Sequence, residues 1–273
     1  MSSGGHSRAG WIGVVGAAAA VLTTTAAFAG GGSTATNTVE TTAVRGKTKA
    51  VCDGERRAVA GGFRTELIKG DHAYVKSLRR AGRRGWLAGI DSSFSGGELT
   101  AYAYCRPKGN PLAKLETKSR KVTIPVDVFK LINARCARGQ TPVSGGFSSP
   151  FDDYTYPTTS KRKGARKWQA GFIANQAESP DVTVQANCYD GPPLEARSNT
   201  ETLDPPPAYT LYEVSATCPP GSKVISGGFK SSSPITKSGP FVHESRKTGP
   251  REWTIGVTLG YFPIEFTTYA YCR

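Results

Sequence analysis

Three stretches of this chain alternate apolar and polar residues with a period of two and close on a cysteine. They are Leu99, Ala101, Ala103, Cys105; Val182, Val184, Ala186, Cys188; and Phe266, Thr268, Ala270, Cys272. That alternation marks a strand with one buried face, so each cysteine side is expected to face a core. The same pattern runs upstream through Trp86, Ala88 and Ile90, through Trp168, Ala170 and Phe172, and through Trp253, Ile255 and Val257. A further strand carries Val59 and Phe63, Val143 and Phe147, or Ile225 and Phe229, and a first strand ends at Cys52, Cys136 or Cys218. The pattern therefore predicts about four strands in each of three units, all-β throughout.

The units repeat a fixed skeleton. Gly61-Gly62-Phe63, Gly145-Gly146-Phe147 and Gly227-Gly228-Phe229 each begin nine positions after the first cysteine, and each Trp is followed three residues later by a Gly. The first Gly of each pair falls on the apolar face, where it lets another backbone or an aromatic ring lie close. Between Phe and Trp sit Ser77-Leu78-Arg79-Arg80, Ser160-Lys161-Arg162-Lys163 and Ser245-Arg246-Lys247, which read as basic hairpin loops aligned on their serines. The units span residues 45–106, 121–190 and 208–273. The connector at 107–120 and the Pro-rich connector at 191–207, with Pro192-Pro193 and Pro205-Pro206-Pro207, are expected to run over the surface. Residues 30–44, dominated by Gly, Ser and Thr, read as a flexible spacer.

Composition agrees with turn-rich β structure: 38% hydrophobic residues, 32 Gly, 18 Pro and a single Met in 273 residues. Residues 1–29 have the form of a secretory signal, with Arg8, an apolar run from Trp11 to Val21, and the small-x-small site Ala27-Phe28-Ala29. Thr23-Thr24-Thr25 interrupts a run already short for a membrane span, so cleavage near Gly30 and a secreted, extracellular protein without a transmembrane segment are expected. Six cysteines then lie where disulfides persist. Of the 15 possible pairings the repeat selects Cys52–Cys105, Cys136–Cys188 and Cys218–Cys272.

A Cys followed within three residues by Gly, then Gly-Phe, then a late strand ending in Cys resembles the threefold repeats of the vitelline membrane outer layer protein family. The likeness covers Cys52–Cys105, Cys136–Cys188 and Cys218–Cys272. It implies a β-prism and carbohydrate-associated binding. A four-stranded sheet with one apolar face needs a partner, so a single pseudo-threefold β-prism is expected, with three tandem small β domains as the alternative arrangement.

The formal charge of +14 turns attention to the basic segments. Arg79, Arg80, Arg83 and Arg84 align with Lys161, Arg162, Lys163, Arg166 and Lys167, and with Arg246, Lys247 and Arg251. Related by a threefold axis, these twelve cations are expected to ring one end and to attract anionic polysaccharide or another cell-envelope polymer. Lys and Arg also keep hairpins from aggregating, which is the competing structural role. Tyr102, Tyr104, Tyr269 and Tyr271 alternate with core residues and are candidates for stacking on sugar rings, with ordinary cross-strand packing as the alternative. No signature of sequence-specific nucleic-acid recognition accompanies the charge. His72, His243 and Asp152-Asp153 form no repeat-related catalytic or metal-binding set, and no cofactor is expected. The sequence thus points to an extracellular, non-catalytic module for anionic glycans or other polyanions. A structural or adhesive surface protein with a protein partner is the alternative, and a polysaccharide hydrolase the third.

Overall fold

The computed structural model describes residues 37–44, 46–66, 74–91, 98–151, 155–174, 179–205, 210–232, 240–260 and 262–273. The expected signal segment, His72 and Asp152-Asp153 lie outside the described residues. Apart from one 3-10 turn at Pro111–Ala113, the described chain is built of strands. None of its helices is long and apolar enough to cross a membrane.

Each unit holds six strands instead of the expected four. Unit one comprises β1 (Asn37–Val44), β2 (Lys47–Val51), β3 (Arg57–Glu66), β4 (Tyr74–Ala81), β5 (Gly85–Asp91) and β6 (Glu98–Arg106). Unit two comprises β7 (Glu116–Thr123), β8 (Phe129–Arg135), β9 (Gln140–Ser148), β10 (Thr155–Lys163), β11 (Lys167–Ala174) and β12 (Asp181–Asp190). Unit three comprises β13 (Glu195–Leu203), β14 (Leu211–Thr217), β15 (Val224–Ser231), β16 (Phe241–Lys247), β17 (Glu252–Thr258) and β18 (Ile264–Cys272).

The two extra strands per unit arise where apolar alternation is missing. β1, β7 and β13 occupy stretches expected as spacer or connector, and all three are sheet edges. An edge strand is held by main-chain hydrogen bonds along one side, so it needs no apolar face, and β7 and β13 are exposed over most of their length. Residues 37–44 of the expected spacer pair with β6 from Asn37–Cys105 to Val44–Glu98. The basic segments are likewise the ends of strands β4, β10 and β16, and only residues 82–84, 164–166 and 248–251 turn.

The strands form three open, antiparallel, six-stranded sheets, and no sheet belongs to one unit. Their orders are β1-β6-β3-β16-β17-β14, β13-β18-β15-β10-β11-β8 and β2-β5-β4-β9-β12-β7. Unit one lends β4, β5 and β2 to unit two, unit two lends β10, β11 and β8 to unit three, and unit three lends β16, β17 and β14 to unit one. This cyclic exchange replaces the picture of self-contained four-stranded sheets and overturns the alternative of three tandem domains.

The Gly-Gly-Phe skeleton makes the exchange possible. A Cβ on Gly61, Gly145 or Gly227 would lie 2.1–2.2 Å from Cγ of Trp86, Trp168 or Trp253, so the first glycine seats the tryptophan of its own unit. A Cβ on Gly62, Gly146 or Gly228 would lie 2.2, 2.2 or 2.4 Å from the carbonyl oxygen of Ser245, Leu78 or Ser160, so the second glycine admits the borrowed strand. Phe63, Phe147 and Phe229 then pair with Ser245, Leu78 and Ser160 across that junction. All three Trp are buried, as expected of core residues.

The same junction corrects the alignment on Ser77. Leu78, not Ser77, shares the register of Ser160 and Ser245. Trp168 and Trp253 donate through Nε1 to Ser160 and Ser245 at 3.1 and 3.2 Å, whereas Trp86 Nε1 and Ser77 Oγ have no such partner. Near the centre, Ser226 donates to the Val143 carbonyl and Ser144 to the Val59 carbonyl, while Ala60 stands at the matching position of unit one.

The disulfides are Cys52–Cys105, Cys136–Cys188 and Cys218–Cys272, with sequence separations of 53, 52 and 54. They join first to last cysteine strand as predicted. Because those strands lie in different sheets, each bridge staples one sheet to the next.

A cationic face as the candidate functional site

Of the twelve cations singled out by sequence, several serve the scaffold. Arg84, Arg166 and Arg251 donate from their guanidinium groups to the carbonyl oxygens of Cys52, Cys136 and Cys218. Those cysteines return the contact, each main-chain N–H donating to the carbonyl of the same arginine at 2.8 Å. Arg80 is buried and donates to the carbonyls of Ala58, Leu115 and Arg83. Burial first, and then the nearby Arg57 and Arg83 charges, push its pKa down to about 10. Burial also lowers the pKa of Arg162 and of Lys247. Arg80, Arg84, Arg166 and Arg251 thus hold hairpin ends in place.

The four tyrosines divide in the same way. Tyr104 and Tyr271 are buried, which removes them as sugar-stacking residues. Each packs edge-on against a tryptophan of a neighbouring unit, Tyr104 on Trp253 and Tyr271 on Trp168. Their hydroxyls accept hydrogen bonds from the main-chain N–H groups of Lys247 and Arg162, both at 2.7 Å. Desolvation raises both phenols well above the ordinary value. Tyr102 and Tyr269 are half-buried and face outward, each beneath a cation of the borrowed strand. Arg246 lies 5.8 Å from the Tyr102 ring and Lys161 lies 4.9 Å from the Tyr269 ring.

Strand pairing shows which outward residues share a face. On the sheet β13-β18-β15-β10-β11-β8, Lys163 pairs with Lys167 and Lys167 with Arg135. Three cations therefore stand directly opposite one another on adjacent strands, roughly 4.8 Å apart at the backbone. Two residues along, a parallel row runs through Ser198, Tyr269, Gly228, Lys161, Gln169 and Asn133. Lys230 lies on the same face, paired with Thr159 and Thr267. Among the described residues, Lys163, Lys167 and Arg135 make no ion pair or side-chain hydrogen bond. Like charges directly opposite one another on a sheet are destabilising, by a few tenths to about 1 kcal/mol per pair.

The scaffold does not require those charges. The equivalent rows are Ala81, Gly85 and Val51 in unit one, and Thr248, Glu252 and Thr217 in unit three. In the latter, Thr248 donates to Glu252 at 2.7 Å. The other two faces also differ in balance. The sheet holding β1 turns Glu40, Glu66, Glu98, Glu213, Glu244 and Glu252 outward against Arg57, Arg64, Arg106 and Arg246. On the sheet holding β2 the outward cations are Lys121, paired with Asp181 at 2.7 Å, Lys47, over the Phe151 ring at 3.8 Å, and Arg79 and Lys49, which lie on either side of Leu87.

Arg135 and Lys230 were missed in the sequence. Arg135 precedes Cys136 and alternates with Ile132 and Ala134, so its outward direction was legible. Its place beside Lys167 was not, because the pairing of β8 with β11 follows from the fold. No family model matches this chain, and no curated protein matches it.

Proposed function

We propose that the chain is a secreted, non-catalytic extracellular module that binds anionic glycans or other polyanions through the outer face of the β13-β18-β15-β10-β11-β8 sheet. The observation that carries this reading is the unpaired row Lys163–Lys167–Arg135, absent from the equivalent positions of the other two units. A polyanion laid on this row relieves the repulsion and releases its own counterions, so affinity falls as salt rises. The signal-like residues 1–29 and the three disulfides support the extracellular setting. We read the cyclic three-sheet arrangement as a β-prism, in keeping with the resemblance to vitelline membrane outer layer proteins.

The test is titration of the purified protein with heparin between 50 mM and 200 mM salt, beside a K163E/K167E/R135E variant. Three neutralised groups give a log–log salt slope of about −2 to −3. The variant is expected to lose at least ten-fold in affinity while keeping its thermal midpoint, since it exchanges one row of like charges for another of the opposite sign. Binding that ignores salt, or that survives in the triple variant, overturns the proposal.

A further inference from the structure

The three equivalent outward rows carry Tyr102, Tyr269 and Gln185 at one position, and the side chains around them differ in a way that bears on the ligand. Tyr102 lies beneath Arg246, whose guanidinium is held at 2.7 Å by the buried carboxylate of Glu244. Glu40 is its direct cross-strand neighbour. That ring is covered by a pinned cation and flanked by an anion. Tyr269 lies beneath Lys161, whose ammonium interacts, among the described residues, with this tyrosine alone, at an Nζ–hydroxyl distance of 3.1 Å and over the ring itself. Its direct cross-strand neighbours are Ser198 and Gly228, and the buried Tyr271 stacks against its ring at 6.5 Å between centroids, so Lys161 is the cation that covers it. A lysine on a flexible stem swings aside at little cost, whereas Arg246 leaves only by exposing a buried carboxylate.

Tyr269 therefore offers the one aromatic ring of the three positions that a ligand can uncover, and it shares its face with the cation row. Along the same row stand hydrogen-bonding groups: the Ser198 hydroxyl, and the Gln169 amide donating to Asn133 at 3.2 Å. Thr200 and Thr267 add a hydroxyl pair on the adjacent row. A single platform among hydroxyls and amides matches a sugar ring with its hydroxyl groups. Single-stranded nucleic acid instead calls for several rings on which successive bases stack.

Resting on the polyanion reading above, we infer that the ligand is an acidic polysaccharide lying across the strands, one sugar ring on Tyr269 and its anionic groups on Lys163, Lys167 and Arg135. Lys161 moves from the ring to the polymer when the site fills. Of the three equivalent positions only this one forms such a site, because the other two hold a covered tyrosine and a glutamine.

The test compares three probes, a heparin oligosaccharide, inorganic polyphosphate of matched charge and oligo(dT), against Tyr269→Gln, Tyr102→Gln and the K163E/K167E/R135E variant. Glutamine is the residue unit two itself places at this position, so the substitution suits the fold. Tyr269→Gln is expected to weaken heparin binding about ten-fold and polyphosphate binding less than two-fold, with one oligosaccharide bound per chain, and Tyr102→Gln to change neither. The inference is overturned if Tyr269→Gln leaves heparin binding intact, or weakens polyphosphate or oligo(dT) as much as heparin. Loss of all three probes in the charge variant, with no selective effect at Tyr269, keeps the polyanion reading and removes the sugar platform. Retention of all three in the charge variant removes both.

Discussion

The hydroxyl of Tyr271 in the third unit accepts a hydrogen bond from the main-chain N–H of Arg162 in the second, at 2.7 Å. Tyr104 and Lys247 repeat the contact between the first and third units. At the remaining junction the position is Asn187, which accepts from Thr117 and donates to Ser144, and Arg80 reaches across to Leu115 and Thr117 of unit two. Two junctions between units are thus latched by a phenol and one by a guanidinium.

Tyr271→Phe removes the acceptor and leaves a buried N–H without its partner. The expected loss is about 1–3 kcal/mol in urea unfolding. Tyr269→Phe, at a half-exposed hydroxyl, is expected to cost under about 0.5 kcal/mol. Equal losses from the two substitutions would contradict the assignment of Tyr271 to the scaffold.

The two glycines of each pair predict a second contrast. Gly145→Ala drives a methyl to 2.1 Å from Trp168 Cγ, and Gly146→Ala drives one to 2.2 Å from the Leu78 carbonyl oxygen. Each is expected to cost about 3 kcal/mol or more, because neither a buried indole nor a paired main chain gives way locally. Gly109→Ala, where a Cβ meets nothing within 4 Å, serves as the control and should leave the thermal midpoint unchanged.

Ser160 accepts from the buried Trp168 Nε1, so Ser160→Ala orphans that donor. A loss of about 1–3 kcal/mol is expected by chemical denaturation. Ser77→Ala, in the unit where Leu78 holds the equivalent position, breaks no such bond and is expected to change stability far less. A comparable loss at Ser77 would show that the register correction is mistaken.

Glu244 supplies a pH dependence. Burial raises its pKa above the ordinary 4.5, and the attraction of Arg246 and Arg64 only partly opposes the shift. A carboxyl with a raised folded pKa binds its proton more tightly in the folded state. Its contribution to stability is therefore complete below the ordinary value and is lost as pH rises through the raised one. The stability of Glu244→Gln relative to the parent should accordingly rise with pH from about pH 4.5 upward, read from urea midpoints across a pH series. A flat or falling difference would refute this account.

By itself the sequence determined the repeat, the cysteine pairing, the burial of the three tryptophans and the space reserved by Gly61, Gly145 and Gly227. Those features are written in local periodicity, where one buried face imposes a rhythm on side chains. It also marked Lys161, Lys163, Lys167 and Tyr269 as candidates. Tertiary structure alone decided that β1, β7 and β13 are strands, because edge pairing uses main-chain groups that every residue carries. It decided too that each unit gives half its strands to the next, since a sheet junction such as Ser160–Phe229 has no side-chain code for which unit supplies the partner. That exchange moved Arg80 into the scaffold and buried Tyr104 and Tyr271. It also set Arg135 beside Lys167, giving one cationic face where the sequence suggested a ring of twelve.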